Sequence, residues 1–215
     1  MAQVWAIVVA GGSGRRFGQM KQFALLDGRP VLEWAVEACR PSATGVVLVV
    51  PGSMIGTLSC GADAVVEGGA TRSDSVRAGL AAVPASAEVI VVHDAARPLA
   101  SPQLFRIVIA AVTDGGADGA IPGLPVGDTI KVLDDEHRVT ATLDRSTLSA
   151  VQTPQAFRAD VLRRAHAAGA GATDDAALVE ALGGTVQVVP GDRRNLKLTT
   201  PEDLRAAELL LVPGE

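Results

Sequence analysis

The sequence VWAIVVA, residues 4–10, is followed at once by GGSGRRFGQMK, residues 11–21. The apolar run is typical of a strand that is buried on both faces, as in a parallel sheet. Glycines in the loop let backbone N–H groups converge on an anion, because no side chain blocks the approach. Arg15, Arg16 and Lys21 add the positive charge that several phosphates would need. The stretch therefore predicts a strand that ends in a phosphate-binding loop.

Two common phosphate-binding loops do not fit this stretch. The dinucleotide fingerprint needs a third glycine where this chain has Phe17, which disfavours an NAD-dependent oxidoreductase. The Walker loop needs Gly-Lys followed by Ser or Thr, whereas Lys21 stands between Met20 and Gln22. Taken by itself, a glycine-rich turn is a weak signal, and a flexible connection with solvated arginines is the alternative interpretation.

The composition is that of a globular chain. Its 215 residues are 48% hydrophobic and 20% charged, which is enough apolar material for one domain with a proper core. The net charge of −5 disfavours a nucleic-acid-binding surface. Met1-Ala2-Gln3 carries no basic segment, and no apolar run approaches the length of a membrane span. We expect a cytoplasmic protein with neither a nucleic-acid nor a membrane partner.

Predicted strands and helices alternate through most of the chain. Strands are predicted at 4–10, 45–50, 64–67, 88–92 and 185–189, and helices at about 30–40, 71–83, 102–112, 159–168, 174–182 and 201–211. This alternation predicts an α/β fold with a doubly wound, mostly parallel, Rossmann-like sheet. Ligands of such sheets bind beyond the carboxyl ends of the strands. The glycine-rich loop, Gly68-Gly69 and Asp94 all follow strands, so we expect them to share one crevice.

The stretch 119–151 interrupts this alternation. Residues 128–133 and 138–143 form two β-rich runs joined by a polar link, which predicts a hairpin. A lone hairpin is only marginally stable in water. We therefore expect a protruding β-hairpin arm that packs on another surface, most simply on a second copy of the chain.

Asp94 is the most informative carboxylate. It follows a buried strand at the level of the phosphate loop, and Mg²⁺ usually takes one or two carboxylates together with phosphate oxygens and water. The alternative is that Asp94 acts as a cap or pairs with Arg97. The neighbouring His93 has no second histidine or cysteine close by, so it is expected to pack or to form a hydrogen bond, while His137 and His166 are expected to be solvated.

Lys197 lies between Leu196 and Leu198 in a polar turn near the C-terminus. If this segment is extended, Lys197 faces away from both leucines and into the crevice. A solvated lysine that precedes a helix cap is an equally simple interpretation. No Ser/His/Asp or Cys/His arrangement is evident, so a covalent hydrolase is disfavoured.

Several motifs occur together in a characteristic order. They are AGGSGRR at 10–16 with Lys21, GG at 68–69 with RSDSV at 72–76, HDAARP at 93–98, DR at 144–145, TPQ at 153–155, TDDA at 173–176 and NLKLT at 195–199. Together they resemble the 2-C-methyl-D-erythritol 4-phosphate cytidylyltransferase family of the non-mevalonate isoprenoid pathway. The resemblance covers nearly the whole chain, although each motif alone is much less specific.

The resemblance implies a single nucleotidyltransferase domain over residues 1–215, with 123–148 as a β-arm for homodimerisation. It implies Mg²⁺-assisted in-line attack of the phosphate of methylerythritol phosphate on the α-phosphorus of CTP, with release of pyrophosphate. The implied catalytic residues are Arg16, Lys21 and Lys197, and the implied metal ligand is Asp94. The implied nucleotide-binding residues are Ala10, Gly11, Gly12, Gly14, Gly69, Ser75, Asp94 and Ala95. The implied acceptor-binding residues are Arg97, Thr153 and Thr173, together with Thr129 and Arg145, which would reach into the partner subunit.

Two alternatives stay open at the level of sequence. One is a cytidylyltransferase for another polyol phosphate, such as ribitol 5-phosphate, and the other is a non-catalytic nucleotide-binding module. Gly11, Ala70 and Gly127 also depart from the family pattern, which often has an alanine, an acidic residue and a basic residue at these positions. These departures affect the detail of the pocket and leave the type of reaction unchanged.

Overall fold

The structure, a computed structural model, describes residues 2–11, 23–58, 60–168 and 174–211. The strands are β1 (Val4–Val9), β2 (Leu25–Leu26), β3 (Arg29–Pro30), β4 (Gly45–Val50), β5 (Ala64–Glu67), β6 (Val89–Asp94), β7 (Gly119–Pro125), β8 (Lys131–Leu133), β9 (Val139–Thr142), β10 (Ser149–Val151), β11 (Gln155–Arg158) and β12 (Val186–Pro190). The helices are α1 (Val31–Cys39), α2 (Arg72–Ala82), α3 (Pro102–Thr113), α4 (Ala159–Ala167), α5 (Asp175–Ala181) and α6 (Pro201–Leu211).

One large sheet organises the fold. Its strand order is β10-β7-β11-β6-β1-β4-β5, and β12 pairs with β7. The strands β6, β1, β4 and β5 are parallel to one another, and β12 is parallel to β7. Among the strands that the structure describes, only β10 and β11 run antiparallel to their neighbours in this sheet. The predicted doubly wound, mostly parallel sheet is confirmed.

The core lies on both faces of the sheet, as the continuous apolar strands require. Along β1, Ala6 and Val8 pack into a cluster that includes Phe105 of α3. The intervening Ile7 belongs to the opposite cluster, with Phe157 of β11 and Leu162 of α4. Because both faces of the sheet are covered, the accessible edge of the sheet is the end at which the parallel strands stop.

The predicted hairpin forms as a separate two-stranded sheet. β8 and β9 pair antiparallel, and His137 sits exposed in the turn between them with a φ of 60°. Apolar side chains of this arm face solvent, with Leu133 50% and Val139 59% exposed. Within the described ranges, no helix combines the length and the apolar character that a membrane crossing requires.

Candidate active site

The carboxyl ends of the parallel strands meet at one edge. Val9 at the end of β1 is in register with Asp94 at the end of β6. The N–H of Ala10 donates to the carbonyl of Val49 in β4 at 2.8 Å, and the N–H of Ala95 donates to the carbonyl of Val9 at 3.0 Å. The backbone that leaves β1 therefore lies between the ends of β4 and β6, as the sequence predicted for a shared crevice.

Small residues pack closely together beside this edge. A Cβ placed on Gly11 would lie 3.1 Å from the hydroxyl of Ser75, and one placed on Gly68 would lie 2.9 Å from it. The Ser75 hydroxyl donates to the carbonyl of Thr71 at 3.0 Å. Thr71 caps α2 through reciprocal hydrogen bonds with Asp74, which also fills the space beside Gly69. The cap of α2 thus fixes Ser75 beneath the backbone of Gly11 and Gly68.

Asp94 lies at the centre of a charged cluster. Its Oδ2 accepts from Nζ of Lys197 at 2.7 Å, and its Oδ1 accepts from Nε of Arg72 at 3.3 Å. Burial alone would raise the pKa of Asp94, but Arg72 and Lys197 outweigh burial and hold it well below its usual range. The Arg97 guanidinium instead donates to the carbonyl of Asn195 at 2.8 Å, so the alternative pairing of Asp94 with the Arg97 side chain is not observed.

The segment that carries Lys197 places its side chain on the opposite side from the two neighbouring leucines. Leu198 is fully buried, and its N–H donates to the carbonyl of Ala96 at 2.8 Å. Leu196 packs against the same small cluster as Leu198. Lys197 faces away from both leucines and towards Asp94, with 42% of its side chain exposed. The lysine is therefore tied to the crevice and still has access to solvent.

A series of hydrogen bonds holds the backbone of Asp94 in place. The Asp94 N–H donates to Oγ1 of Thr153 at 3.0 Å, and this hydroxyl lies 3.1 Å from Nδ1 of His93. Nε2 of His93 lies 3.1 Å from the carbonyl of Arg97, an acceptor, so we assign the ring proton to Nε2. Burial lowers the pKa of His93 to about 4, which keeps the ring neutral near pH 7. The prediction that His93 packs and forms hydrogen bonds is confirmed.

Sequence reasoning missed the second half of the charged cluster. Nη1 of Arg72 donates to Oδ2 of Asp175 at 2.7 Å, and Nε2 of His166 lies 2.9 Å from Oδ1 of the same carboxylate. The expectation that His166 is solvated was wrong, because it is buried on the inner face of α4. Its spacing of four residues from the buried Leu162 was the signal for that position. No comparable local signal joins Arg72 to Asp175.

The remaining predicted residues are divided between two groups. Gly12, Gly14, Arg16, Lys21 and Thr173 lie outside the described residues. Thr129 and Arg145 are exposed in the arm, where Nη1 of Arg145 donates to the carbonyl of Gly127 at 2.6 Å. In the part of the chain that the structure describes, no hydrogen bond or ion pair joins these two residues to the Asp94 cluster.

Comparison with known proteins identifies the family. The family model for 2-C-methyl-D-erythritol 4-phosphate cytidylyltransferase matches residues 4–212. The chain belongs to this family. A 2-C-methyl-D-erythritol 4-phosphate cytidylyltransferase of Rubrobacter xylanophilus is 47% identical to it over 227 residues, which cover 100% of this chain and 97% of the relative.

Solved structures of the cytidylyltransferase family share the fold. The cytidylyltransferase of Thermus thermophilus superposes with a TM-score of 0.81 at 37% identity, covering 98% of each chain. The 4-diphosphocytidyl-2C-methyl-D-erythritol synthase of Anaerococcus prevotii gives a TM-score of 0.82 at 29% identity, covering 99% of each chain. The resemblance noted in the sequence is confirmed, and the fold is of the nucleotidyltransferase type.

Proposed function

We propose that this chain transfers a cytidylyl group from CTP to 2-C-methyl-D-erythritol 4-phosphate at the edge where Asp94 and Lys197 meet. As a member of the family, the chain is a cytidylyltransferase. A phosphate oxygen of the acceptor forms a bond to the α-phosphorus of CTP, and the bond from that phosphorus to the bridging oxygen breaks, so that pyrophosphate leaves. The observation that carries the assignment of the site is the 2.7 Å contact between Lys197 Nζ and Asp94 Oδ2.

The small-residue surface beside Ser75 is proposed to take the cytosine ring. At Gly11, Gly68 and Gly69 the Ser75 hydroxyl or the Asp74 side chain occupies the space that a Cβ would need, so the backbone here carries no side chain. A single pyrimidine ring needs less room than a purine, and we propose that this closely packed surface selects CTP over ATP and GTP. Ala10 follows β1 and Ala95 follows β6, so the backbone of this surface lies next to the charged cluster.

The donor set around Asp94 fits a Mg²⁺ ion that arrives with the nucleotide. Among the described residues there is no group of three or more histidine, cysteine or acidic side chains that would bind a metal by itself. One carboxylate is nevertheless sufficient when phosphate oxygens and water complete the coordination sphere. Asp94 would hold the ion, and the bound ion would neutralise negative charge on the triphosphate.

Lys197 is proposed to move its charge from Asp94 to the phosphates. Its ammonium group pairs with Asp94, and its partly exposed, flexible side chain could turn towards a triphosphate. Nucleotidyl transfer needs positioning and charge stabilisation rather than a covalent group on the protein. Arg16 and Lys21 follow the backbone that begins at Ala10 and Gly11, and their catalytic roles stay predictions.

The arm is proposed to complete the site of a second copy of the chain. Its exposed apolar residues Val132, Leu133, Val139 and Leu143 supply a surface that a homodimer would bury. Thr129 and Arg145 are exposed on the same arm, so both are accessible to the acceptor phosphate in the partner's crevice. The dimer would then be the catalytic unit. A cytoplasmic location also stays a prediction.

Replacing Arg145 with alanine is expected to raise the KM for the acceptor by about tenfold and to lower turnover, without weakening CTP binding. The reason is that a guanidinium–phosphate hydrogen bond is charge-assisted and contributes more than a neutral one. Steady-state kinetics with varied acceptor, together with calorimetry of CTP binding, would measure both effects. Unchanged kinetics would remove Arg145 from the acceptor site.

Mixing two damaged chains tests whether Arg145 acts in the partner subunit. If it does, mixed dimers of Arg145→Ala and Asp94→Asn chains contain one site in which both residues are intact. Random pairing should then restore about a quarter of the wild-type activity per chain. If the mixture is no more active than the average of the two variants, Arg145 does not act across the dimer.

The overall reaction is tested by pyrophosphate release from CTP and Mg²⁺, with methylerythritol 4-phosphate and ribitol 5-phosphate supplied in parallel. We expect release with the first acceptor only. Release with ribitol 5-phosphate only would keep the mechanism and change the substrate. CTP binding without turnover on either acceptor would instead indicate a non-catalytic nucleotide-binding module.

A further inference from the structure

We propose that Asp175 is a positioning residue for nucleotidyl transfer, because it anchors Arg72 and balances the charge around Asp94. This inference rests on the proposed function, in which Asp94 holds a Mg²⁺ ion that arrives with CTP. Asp175 itself is remote from the exposed edge and would act only through Arg72.

Asp175 is held rigidly inside the protein. It is 0% exposed and is the first residue of α5. Its Oδ2 accepts from Nη1 of Arg72 at 2.7 Å, while its Oδ1 lies 2.9 Å from Nε2 of His166 in α4. A buried carboxylate with both oxygens engaged in this way has a fixed orientation. A negative charge in the first turn of a helix also interacts favourably with the helix dipole.

Arg72 is shared unequally between two carboxylates. Its contact with Asp175 is 2.7 Å long, whereas its contact with Asp94 is 3.3 Å long. Burial alone would lower the pKa of Arg72, but Asp175 and Asp94 together raise it, so the guanidinium stays charged. The short contact shows that Arg72 is anchored on Asp175. Asp94 therefore keeps one oxygen that is only weakly held by a cation.

Among the described residues, these ion pairs join two cations and two carboxylates. Arg72 and Lys197 are positive, and Asp94 and Asp175 are negative. Removing the charge of Asp175 makes the site more positive, which disfavours a cation and favours a triphosphate. Removing the charge of Arg72 makes the site more negative, with the opposite effects. A carboxylate that only held α4 and α5 together would produce neither of these shifts.

Three variants test this charge balance: Asp175→Asn, Arg72→Gln and the double variant. For Asp175→Asn we expect the Mg²⁺ concentration for half-maximal turnover to rise about tenfold. The affinity of Asp175→Asn for CTP in EDTA, measured by calorimetry, should be no lower than that of the wild type and should exceed that of Arg72→Gln. For Arg72→Gln we expect the Mg²⁺ concentration for half-maximal turnover to fall, and the affinity for CTP in EDTA to fall as well. The double variant should return the Mg²⁺ requirement close to that of the wild type, because it loses one positive and one negative charge and keeps the net charge of the cluster.

Asp63→Asn is the matched structural control. Asp63 pairs with Nη1 of Arg40 at 2.7 Å and accepts from the N–H of Val46 at 2.7 Å, far from the sheet edge. We expect its melting temperature to fall with no change in Mg²⁺ dependence. Asp175 loses the proposed role if Asp175→Asn behaves in the same way, or if both single variants shift the Mg²⁺ requirement in one direction.

The double variant keeps the test informative if Asp175→Asn does not fold, because it contains no uncompensated buried charge. Comparing it with Arg72→Gln then isolates the effect of the Asp175 charge. Asp94→Asn separates this inference from the proposed function. If Asp94→Asn retains normal Mg²⁺ dependence, the metal site itself is misassigned. If it loses that dependence while Asp175→Asn is unaffected, only the role of Asp175 fails.

Discussion

Replacing Asp94 with asparagine is expected to lower Mg²⁺-dependent turnover by about 100-fold or more while leaving the fold intact. Asparagine preserves the size of the side chain and the backbone hydrogen bond from residue 94 to Thr153. It removes the charge that pairs with Lys197 and would hold the metal ion. Pyrophosphate release at saturating CTP, measured over a range of Mg²⁺ concentrations, would give the loss.

The control for this variant is Asp118, a carboxylate that also accepts a hydrogen bond but lies away from the sheet edge that carries Asp94. Asp118 accepts from the N–H of Thr185 at 2.9 Å, so Asp118→Asn also exchanges a charged acceptor for a neutral one. We expect Asp118→Asn to retain full activity. Circular dichroism and melting of both variants would separate a loss of chemistry from a loss of fold. Near-normal turnover of Asp94→Asn would move the metal site elsewhere.

The parallel half of the fold was predictable because its strands are apolar on both faces. β1, β4 and β6 are nearly continuous apolar runs, rich in valine, up to the point where the chain turns polar. Since the carboxyl ends of parallel strands meet, the shared position of Gly11, Gly68 and Asp94 followed from the same pattern. Local composition and one topological rule were sufficient for this part of the site.

The strand β7 was not predictable in the same way. Its sequence GAIPGLP contains two prolines and two glycines, which individually disfavour strands. It forms because β10 and β11 pair with it in antiparallel orientation and β12 pairs with it in parallel orientation. The stabilising pairs are distant in sequence, so tertiary pairing overrides the local preference.

The charged cluster likewise has one part that the sequence predicted and one part that it did not. The sequence indicated Asp94, which ends an apolar strand, and Lys197, which lies between two leucines of one cluster. Arg72 and its partner Asp175 both lie in motifs noted in the sequence, but they are 103 residues apart and nothing in either motif pairs them. The packing of α2 against α4, and of α4 against α5, brings Arg72 and Asp175 together.

Replacing Lys197 with methionine is expected to lower kcat/KM by about 100-fold, since the proposed role of its ammonium group is to stabilise charge that builds on the phosphates during transfer. Methionine retains an unbranched chain of similar length, so the segment between Leu196 and Leu198 should be preserved. Lys197→Arg should recover only part of the loss, because a planar guanidinium cannot reproduce the compact, mobile charge of lysine. Kinetics with saturating acceptor and varied CTP would measure this order of activity.

The neighbouring Arg194 separates a specific role of Lys197 from a general positive field. Arg194 lies three residues earlier in the same segment, but its guanidinium donates to the carbonyl of Leu210 in α6 and is directed away from Asp94. If the long-range field of the segment were sufficient, Arg194→Met and Lys197→Met would be about equally damaging. If the contact with the phosphates is what matters, Arg194→Met should retain nearly full activity, because screening weakens charges that lie beyond about 10 Å. Equal losses in both variants would therefore contradict the assignment of Lys197 and would make its contact with Asp94 a structural ion pair.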